Sequence, residues 1–149
     1  MVSMEKDRLE WPKVRELMIP AEKVAHVQVG NPLEHALLVL VKSGYSAVPV
    51  LDPTYKFRGV ISKTRILEET LGIEEFELNH LSDTTVNEVM DADIPCLKLD
   101  DHMIDALYKL IDYPFVCVTN EEDEFDGIIT RRTILKQFSK HYHEIFKYV

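Results

Sequence analysis

Cysteine is scarce in this chain: only Cys96 and Cys117 occur among 149 residues, and neither stands in a CxxC or Cys/His spacing. The sequence therefore carries no zinc signature, and its thiols suit the reducing conditions of the cytoplasm, where we expect the protein to reside. Cys117 lies within the apolar run FVCV at residues 115–118, which predicts a buried thiol.

Long apolar segments are missing as well. The most apolar run, ALLVLV at residues 36–41, is far too short to cross a bilayer. No apolar segment near the N-terminus resembles a signal peptide. These two absences lead us to expect one compact protein with no membrane association.

Positive charge is in deficit, because 17 Lys and Arg residues stand against 26 Asp and Glu residues and give a formal net charge of −9. A general nucleic-acid surface, or a surface for anionic membranes, needs a basic face that this composition does not supply. We therefore expect no nucleic-acid partner, although a small local basic pocket remains compatible with the composition.

The sequence also lacks the motifs that are typical of catalytic and metal-binding sites. It contains no Walker phosphate loop, no GxGxxG motif and no grouping of acid, base and nucleophile. His141 and His143 are two positions apart, so on a helix they would not share a face, and we interpret them as solvated. We predict no catalytic residue, no metal site and no enzymatic activity.

Two motifs occur twice, in the same order. GVISKTRIL at residues 59–67 returns as GIITRRTIL at residues 127–135, and VRELM at residues 14–18 returns as VNEVM at residues 86–90. The spacings are similar, 68 residues for the first motif and 72 for the second. Such self-similarity predicts two copies of one structural unit.

Each copy also contains the apolar spacing i, i+3, i+4, i+7, i+8 of an amphipathic helix, followed by a short β-rich run, a polar turn and the glycine strand. We therefore predict the order strand, helix, strand, strand, helix in both copies, with the last helix beginning near Thr64 or Arg132. Residues 71–85 are predicted to form a connector with short helical content, and residues 134–148 a longer helix. The apolar positions are Leu33, Ala36, Leu37, Leu40 and Val41 in the first copy, and Met103, Ala106, Leu107, Leu110 and Ile111 in the second.

These motifs, together with AVPVLD at residues 47–52, resemble a tandem cystathionine-β-synthase (CBS) domain pair, or Bateman module. The resemblance implies an α/β (α+β) fold of two pseudo-symmetric repeats with two clefts between them. It places one CBS repeat at residues 10–72 and the other at 86–140, with a connector at 73–85 and the end of the C-terminal helix at 141–149. No catalytic domain would be left over.

More narrowly, the chain resembles the stand-alone cyclic-di-AMP-binding CBS proteins of Gram-positive bacteria. This likeness implies a non-enzymatic sensor that binds the second messenger cyclic di-AMP between its repeats and needs no cofactor. It also implies a homodimer that regulates a protein partner, such as a metabolic or stringent-response enzyme. Two alternatives are a CBS module that senses AMP, ADP or ATP, and a ligand-free interaction subunit.

The second glycine strand ends in Thr130, Arg131 and Arg132, where a helix is predicted to begin. A helix N-terminus presents free N–H groups and a positive dipole end, and arginine forks match phosphate oxygens. The pattern favours phosphate binding, while a solvated first turn of a helix is the alternative. Many family members place Asp three residues after the hydroxyl, to hold ribose. Here those positions are Arg65 and Thr133, which favours a cyclic dinucleotide over a free ribose diol.

The ligand site that the resemblance implies joins this basic strand end to a first strand at residues 23–27 and to the proline-containing strand. Small alanines would let a purine approach the backbone, and Tyr45 could stack on a base for roughly 1–3 kcal/mol. The alternatives are an aromatic at a helix end for Tyr45, a surface lysine for Lys23 and strand packing for Ala25. The predicted ligand-binding residues are Lys23, Ala25, Val27, Tyr45, Ser46, Ala47, Pro49, Ile128, Thr130, Arg131 and Arg132.

Overall fold

The computed structural model describes residues 11–71 and 79–146. In chain order its elements are α1 (Val14–Leu17), β1 (Ile19–Pro20), a 3-10 turn (Ala21–Lys23), β2 (Val27–Gln28), α2 (Leu33–Ser43), β3 (Ala47–Leu51), β4 (Phe57–Ser62), α3 (Lys63–Thr70), α4 (Asn79–Asp83), α5 (Val86–Val89), β5 (Cys96–Leu97), α6 (Met103–Asp112), β6 (Phe115–Thr119), β7 (Phe125–Thr130) and α7 (Arg131–Phe146).

The predicted element order is confirmed in both copies. The first runs β2, α2, β3, β4, α3, and the second runs β5, α6, β6, β7, α7. The predicted first strand at residues 23–27 is wrong in its bounds, because Lys23 lies in the 3-10 turn and only Val27 and Gln28 form the strand. The turn forms because the N–H of Val24 donates to the carbonyl of Ala21 over 3.0 Å, which bends the backbone before the strand begins. Short helical content in the connector is confirmed by α4, and residues 72–78 lie outside the described part.

The described residues divide into two compact units. Unit I comprises residues 11–24, 95–120 and 126–146, and unit II comprises residues 25–71, 79–94 and 121–125. The short segment before each repeat therefore belongs with the elements of the other repeat: α1 lies in unit I and α5 in unit II.

Unit II is built on the three-stranded sheet β2-β3-β4. Strand β2 runs parallel to β3, with Val27 opposite Val50, and β4 runs antiparallel to β3. Apolar side chains from the sheet, from α2, from α3 and from α5 form one buried core. Its fully or almost fully buried members are Val27, Leu33, Ala36, Leu40, Val48, Val50, Ile61, Ile66, Val86 and Val89.

Unit I is built on the four-stranded sheet β1-β7-β6-β5. Strand β1 pairs antiparallel with β7, and β5 pairs parallel with β6, so that Cys96 lies opposite Cys117. Its core, formed by the sheet together with α1, α6 and α7, consists of Val14, Leu97, Met103, Ala106, Leu110, Val116, Val118, Ile129 and Ile134.

The repeated glycine lets another backbone segment cross the strand closely. A Cβ atom on Gly59 would lie 2.6 Å from the carbonyl oxygen of Asp91, which is less than any real Cβ contact. A Cβ atom on Gly127 would collide with the carbonyl oxygen of Ile19. The GVIS and GIIT motifs therefore need glycine because the segment that precedes the other repeat lies directly against each strand.

The predicted amphipathic helices are present, but the last apolar residue of each predicted stripe faces solvent. Leu33, Ala36 and Leu40 of α2 are completely buried, whereas Val41 is 62% exposed. On α6 the corresponding Ile111 is 67% exposed. An 11-residue helix over a small sheet can bury only one side, and the i+8 position has rotated away from it.

The prediction of a buried thiol at Cys117 is confirmed, because its side chain has no exposed surface. Burial raises the pKa of this thiol well above 9.0, and the neighbouring Cys96 adds to the effect. Both cysteines are thiols that take part in no disulfide. The helix predicted at residues 134–148 is observed as α7, with Phe138 partly buried against the unit I core.

Candidate functional site

The predicted ligand-binding residues fall into two sets. Unit I contains Lys23, Ile128, Thr130, Arg131 and Arg132, and unit II contains Ala25, Val27, Tyr45, Ser46, Ala47 and Pro49.

The unit I set is centred on the point where β7 ends and α7 begins. Thr130 caps the helix, because its hydroxyl accepts a hydrogen bond from the N–H of Thr133 over 3.2 Å. The hydroxyl of Thr133 also lies 3.1 Å from that of Thr130. The sequence departs from the family pattern at Thr133, and this residue completes the cap where a carboxylate would otherwise stand. Ile128, two residues earlier, is buried in the sheet.

Arg131 is held against the end of a neighbouring helix. Its Nε–H donates to the carbonyl oxygen of Leu110 over 2.8 Å, and Nη2 donates to that of Ile111 over 3.3 Å. These carbonyls belong to the last turn of α6, where a helix leaves acceptors unpaired and carries partial negative charge. The fork of Arg131 therefore satisfies and neutralises a helix C-terminus.

The sequence interpretation missed this role of Arg131, although a signal for it was present. Helix α2 ends at Gly44, whose φ of 78° provides the left-handed cap that glycine favours. Helix α6 has no glycine there and ends at Tyr113 in an extended conformation. The two residues that the second copy lacks near residues 43–45 thus remove the usual cap, and an arginine side chain takes over its function.

Arg132 differs from its neighbour. It is exposed at the start of α7, and it makes no hydrogen bond or ion pair with any residue in the described part of the chain. A fixed positive charge in the first turn of a helix is mildly unfavourable beside the dipole. Arg132 is thus an available cation at a strand end, next to the helix N-terminus.

The unit II set lies around the start of β3. Tyr45 follows the cap residue Gly44 and is 48% exposed. The carbonyl of Ser46 accepts a hydrogen bond from the N–H of Lys63 over 3.0 Å, which links this turn to the start of α3. Ala47 is half-buried opposite Ser62, and Pro49 is buried opposite Val60.

The remaining predicted residues differ in exposure. Val27 is almost completely buried, so its side chain belongs to the core and only its backbone could reach a ligand. Ala25 is partly buried against the same core. Lys23 is exposed in its turn. Exposed side chains in the two sets are therefore those of Lys23, Tyr45, Ser46, Arg131 and Arg132.

The other departure from the family pattern, Arg65, has a structural contact of its own. The N–H of Arg65 donates to the hydroxyl of Ser62 over 3.1 Å, as Thr133 does to Thr130. Its guanidinium donates twice to the carbonyl oxygen of Val89, at 3.3 and 3.2 Å, and so closes the short helix α5. Neither of the two positions offers a carboxylate to a ribose.

Comparison with known proteins identifies the family. The family model of the CBS domain matches the chain twice, at residues 14–72 and 86–140. The chain belongs to the CBS-domain family. This CBS-domain protein is 48% identical over 147 residues to the cyclic di-AMP receptor B of Bacillus subtilis (strain 168), an alignment that covers 99% of this chain and 100% of the relative.

Solved structures agree with this family assignment. A CBS domain-containing protein of unknown function from Bacillus anthracis superposes with a TM-score of 0.84 at 56% identity, covering 91% of this chain and 98% of the other. The CbpB protein of Listeria monocytogenes, solved in complex with c-di-AMP, superposes with a TM-score of 0.79 at 48% identity and covers 85% and 94%. The mixed α/β architecture of this CBS-domain protein is thus that of known relatives.

Metal-binding groups and membrane-spanning helices were sought among residues 11–71 and 79–146. Within these ranges, no group of three or more His, Cys, Asp or Glu side chains could hold a metal ion. No helix there combines the length and apolar character that a bilayer crossing needs.

Proposed function

We propose that this CBS-domain protein is a non-enzymatic receptor for cyclic di-AMP, and that the ligand changes its affinity for a protein partner. The observation that carries the proposal is its 48% identity, over almost the whole chain, to a protein named cyclic di-AMP receptor B. The Listeria CbpB structure with c-di-AMP supports the same ligand class. Ligand-dependent regulation requires that the states with different partner affinity also bind the ligand differently.

In this proposal Arg132 contributes the main free cation. Its guanidinium matches phosphodiester oxygens, and the adjacent N-terminus of α7 adds N–H groups of favourable polarity. Lys23 supplies a second, more flexible charge. Each charged hydrogen bond contributes about 1.5–3 kcal/mol. Arg131 assists mainly by its position, because its Nε and Nη2 already donate to α6.

The adenine is proposed to lie against backbone and small side chains. Ala25 and Ala47 leave room for a purine beside the main chain, and the buried Val27, Pro49 and Ile128 would contribute through their backbone groups. The half-exposed ring of Tyr45 is free to stack on a base.

A mononucleotide receptor is the second candidate. The contacts of Arg65 and Thr133 weigh against it, since both positions make structural hydrogen bonds and neither carries the carboxylate that would hold a ribose diol. Cyclic di-AMP has no free 3′ or 5′ hydroxyl and depends more on cations and stacking, which Arg132 and Tyr45 would supply.

We also propose that two copies of the chain form a homodimer. Helix α2 exposes Leu38 and Val41, and helix α6 exposes Tyr108 and Ile111, at 49–67% of their surfaces. The two residues of each helix are three positions apart and so share one face, and contiguous exposed apolar surface marks interaction sites. Light scattering should give twice the chain mass, and Val41→Lys with Ile111→Lys should give a folded monomer. A monomeric wild type would remove the dimer from the proposal.

The experiment that tests the ligand is a thermal-shift panel with cyclic di-AMP, cyclic di-GMP, AMP, ADP, ATP and S-adenosylmethionine. A ligand that binds the native state raises the melting temperature by mass action. We expect the largest shift for cyclic di-AMP. If only mononucleotides raise the melting temperature, the ligand is a mononucleotide instead of cyclic di-AMP. If no nucleotide raises it, the ligand-free interaction subunit is favoured. Turnover of any nucleotide, abolished by a point substitution, would overturn the non-enzymatic assignment.

A further inference from the structure

A cavity of about 620 Å³ opens on the surface of unit I, and no predicted ligand-binding residue lines it. Its volume lies within the range of roughly 300–1,000 Å³ that ligand pockets occupy. The apolar part of its wall is formed by Trp11, Pro12 and Leu17. The indole ring of Trp11 lies 4.7 Å from the ring of Phe138 and 4.7 Å from that of His141, measured between centroids, so it is held in place by α7.

The polar part of the wall is cationic. Lys13, Lys140 and Gln137 line the cavity, and their side chains form no hydrogen bond or ion pair with any residue that the structure describes. Among the lining residues the single carboxylate is that of Glu16, and it accepts the backbone N–H of Lys13 over 2.9 Å. The cavity thus offers two unpaired lysines in a chain whose formal net charge is −9.

The other repeat has different residues at the corresponding positions. In unit I the backbones of Lys13 and His102 form an isolated antiparallel β-bridge. In unit II the backbones of Thr85 and Pro32 form the same kind of bridge. The bridge identifies Thr85 as the counterpart of Lys13.

By the same 72-residue spacing, Asp83 is the counterpart of Trp11. By the 68-residue spacing of the glycine strands, Glu69 is the counterpart of Gln137. Acidic residues in unit II therefore replace the indole and the amide of unit I. In sequence, the combination of an aromatic wall and lysines is thus specific to one repeat, since Asp83 and Thr85 stand at the positions of Trp11 and Lys13.

We propose that this cavity binds an acidic segment of a protein partner. An aromatic or aliphatic side chain of the segment would insert against Trp11 and Leu17, and its flanking carboxylates would pair with Lys13 and Lys140. Tryptophan is enriched among binding hot spots, and complementary charge raises the association rate and selects the partner. The inference rests on the proposed function only in that a protein partner exists.

The test is a selection of displayed random 12-residue peptides on the immobilised full-length protein, with counter-selection on the Lys13→Glu/Lys140→Glu variant. We expect the enriched peptides to carry Asp or Glu on both sides of an apolar residue. A synthetic representative should change the fluorescence of Trp11, the single tryptophan of the chain. Its Kd should rise at least tenfold on the charge-reversed variant.

The matched control is Lys56→Glu/Lys136→Glu, which makes the same charge change at exposed lysines that do not line the cavity. This control should bind the peptide within about threefold of wild type if the contact is local rather than a net-charge effect. Equal losses in both variants, enrichment of basic peptides, or no enrichment would overturn the proposal. Fluorescence changes with AMP or inorganic phosphate but with no peptide would assign the cavity to a small anion instead.

Two measurements distinguish this docking cavity from the proposed cyclic di-AMP site and from an interface between copies of the chain. Calorimetry with cyclic di-AMP should give the same affinity for wild type and for the Lys13→Glu/Lys140→Glu variant. If wild type fails to bind the dinucleotide but binds the peptide, the proposal that cyclic di-AMP is the ligand is wrong, and the proposal that the cavity binds an acidic segment is supported. If light scattering shows that the charge-reversed variant changes its oligomeric state, the cavity is an interface between copies and the proposal is wrong.

Discussion

The Nε–H of Arg131 donates to the carbonyl oxygen of Leu110 over 2.8 Å, whereas Arg132 beside it has no partner in the described ranges. Two arginines that look equivalent in the sequence therefore serve different purposes. One closes the C-terminus of a helix, and the other presents its charge at a strand end. Substitutions at the two positions should separate binding from stability.

Replacing Arg132 with Met should weaken cyclic di-AMP binding roughly 10–100-fold, because one or two charged hydrogen bonds to phosphate are lost. The free energy of unfolding should change by less than about 0.5 kcal/mol, since this exposed side chain forms no hydrogen bond or ion pair with the residues that the structure describes. Titration calorimetry and urea denaturation measure the two quantities. Wild-type affinity in the variant would remove Arg132 from the site.

Replacing Arg131 with Met should have the larger effect on stability, because the carbonyls of Leu110 and Ile111 lose their charged donor. We expect a loss of about 1 kcal/mol in the free energy of unfolding, the usual size for such a partly solvated contact. Urea denaturation compares the variant with Arg132→Met as its control. A smaller loss than in the Arg132 variant would show that the helix cap contributes little.

Replacing Gly127 with Ala should destabilise the protein by about 2 kcal/mol or more. The new methyl group would collide with the carbonyl oxygen of Ile19 and push β1 away from its partner strand β7. The matched control is Gly30→Ala, where nothing lies within 4 Å of the added atom. Thermal unfolding should show a large shift for the first variant and almost none for the second. Equal shifts would mean that β1 yields without cost.

Cys117 should resist thiol reagents in the folded protein. Complete burial denies access, and the raised pKa keeps the sulfur protonated at pH 8. Iodoacetamide followed by peptide mass spectrometry should find Cys117 unmodified in native protein and fully modified in urea. Rapid native labelling of Cys117 would show that the unit I sheet opens readily.

Asp52 should stabilise the fold in a pH-dependent way. Hydrogen bonds from the Thr54 hydroxyl and the Lys56 N–H lower the pKa of its carboxyl below the ordinary 3.8. A lowered folded pKa means that the stabilisation is present above the unfolded pKa and is lost as pH falls through the folded one. Asp52→Asn should therefore lower the melting temperature at pH 7, and the difference should shrink below pH 3.8.

The control for this pH dependence is Glu121→Gln, an exposed acid in the other polar turn. Its melting temperature should follow that of wild type at both pH values. A constant difference between Asp52→Asn and wild type from pH 7 to pH 3 would contradict the assignment to the carboxylate.

Much of the fold could be predicted because the relevant signals are local. Strands β3 and β6 form where the sequence has its short β-rich runs after the amphipathic helices, and each run stops at a polar turn. Helices α2 and α6 follow from apolar spacing. The first strand was misplaced because Val27 is the only one of its predicted residues that pairs with a neighbouring strand, together with the following Gln28. Pairing, rather than propensity, determined where that strand begins.

The two repeats, the glycine strands and the basic residues at the end of β7 are readable from the sequence, because each is a pattern within a few adjacent positions. Which of the two arginines is free, and why the glycines are needed, became evident from contacts between distant parts of the chain. Ile19 and Ile128 are paired although more than a hundred residues separate them, and Arg131 reaches a helix end 21 positions away. Contacts of this kind depend on how the chain returns to itself, which no local pattern encodes.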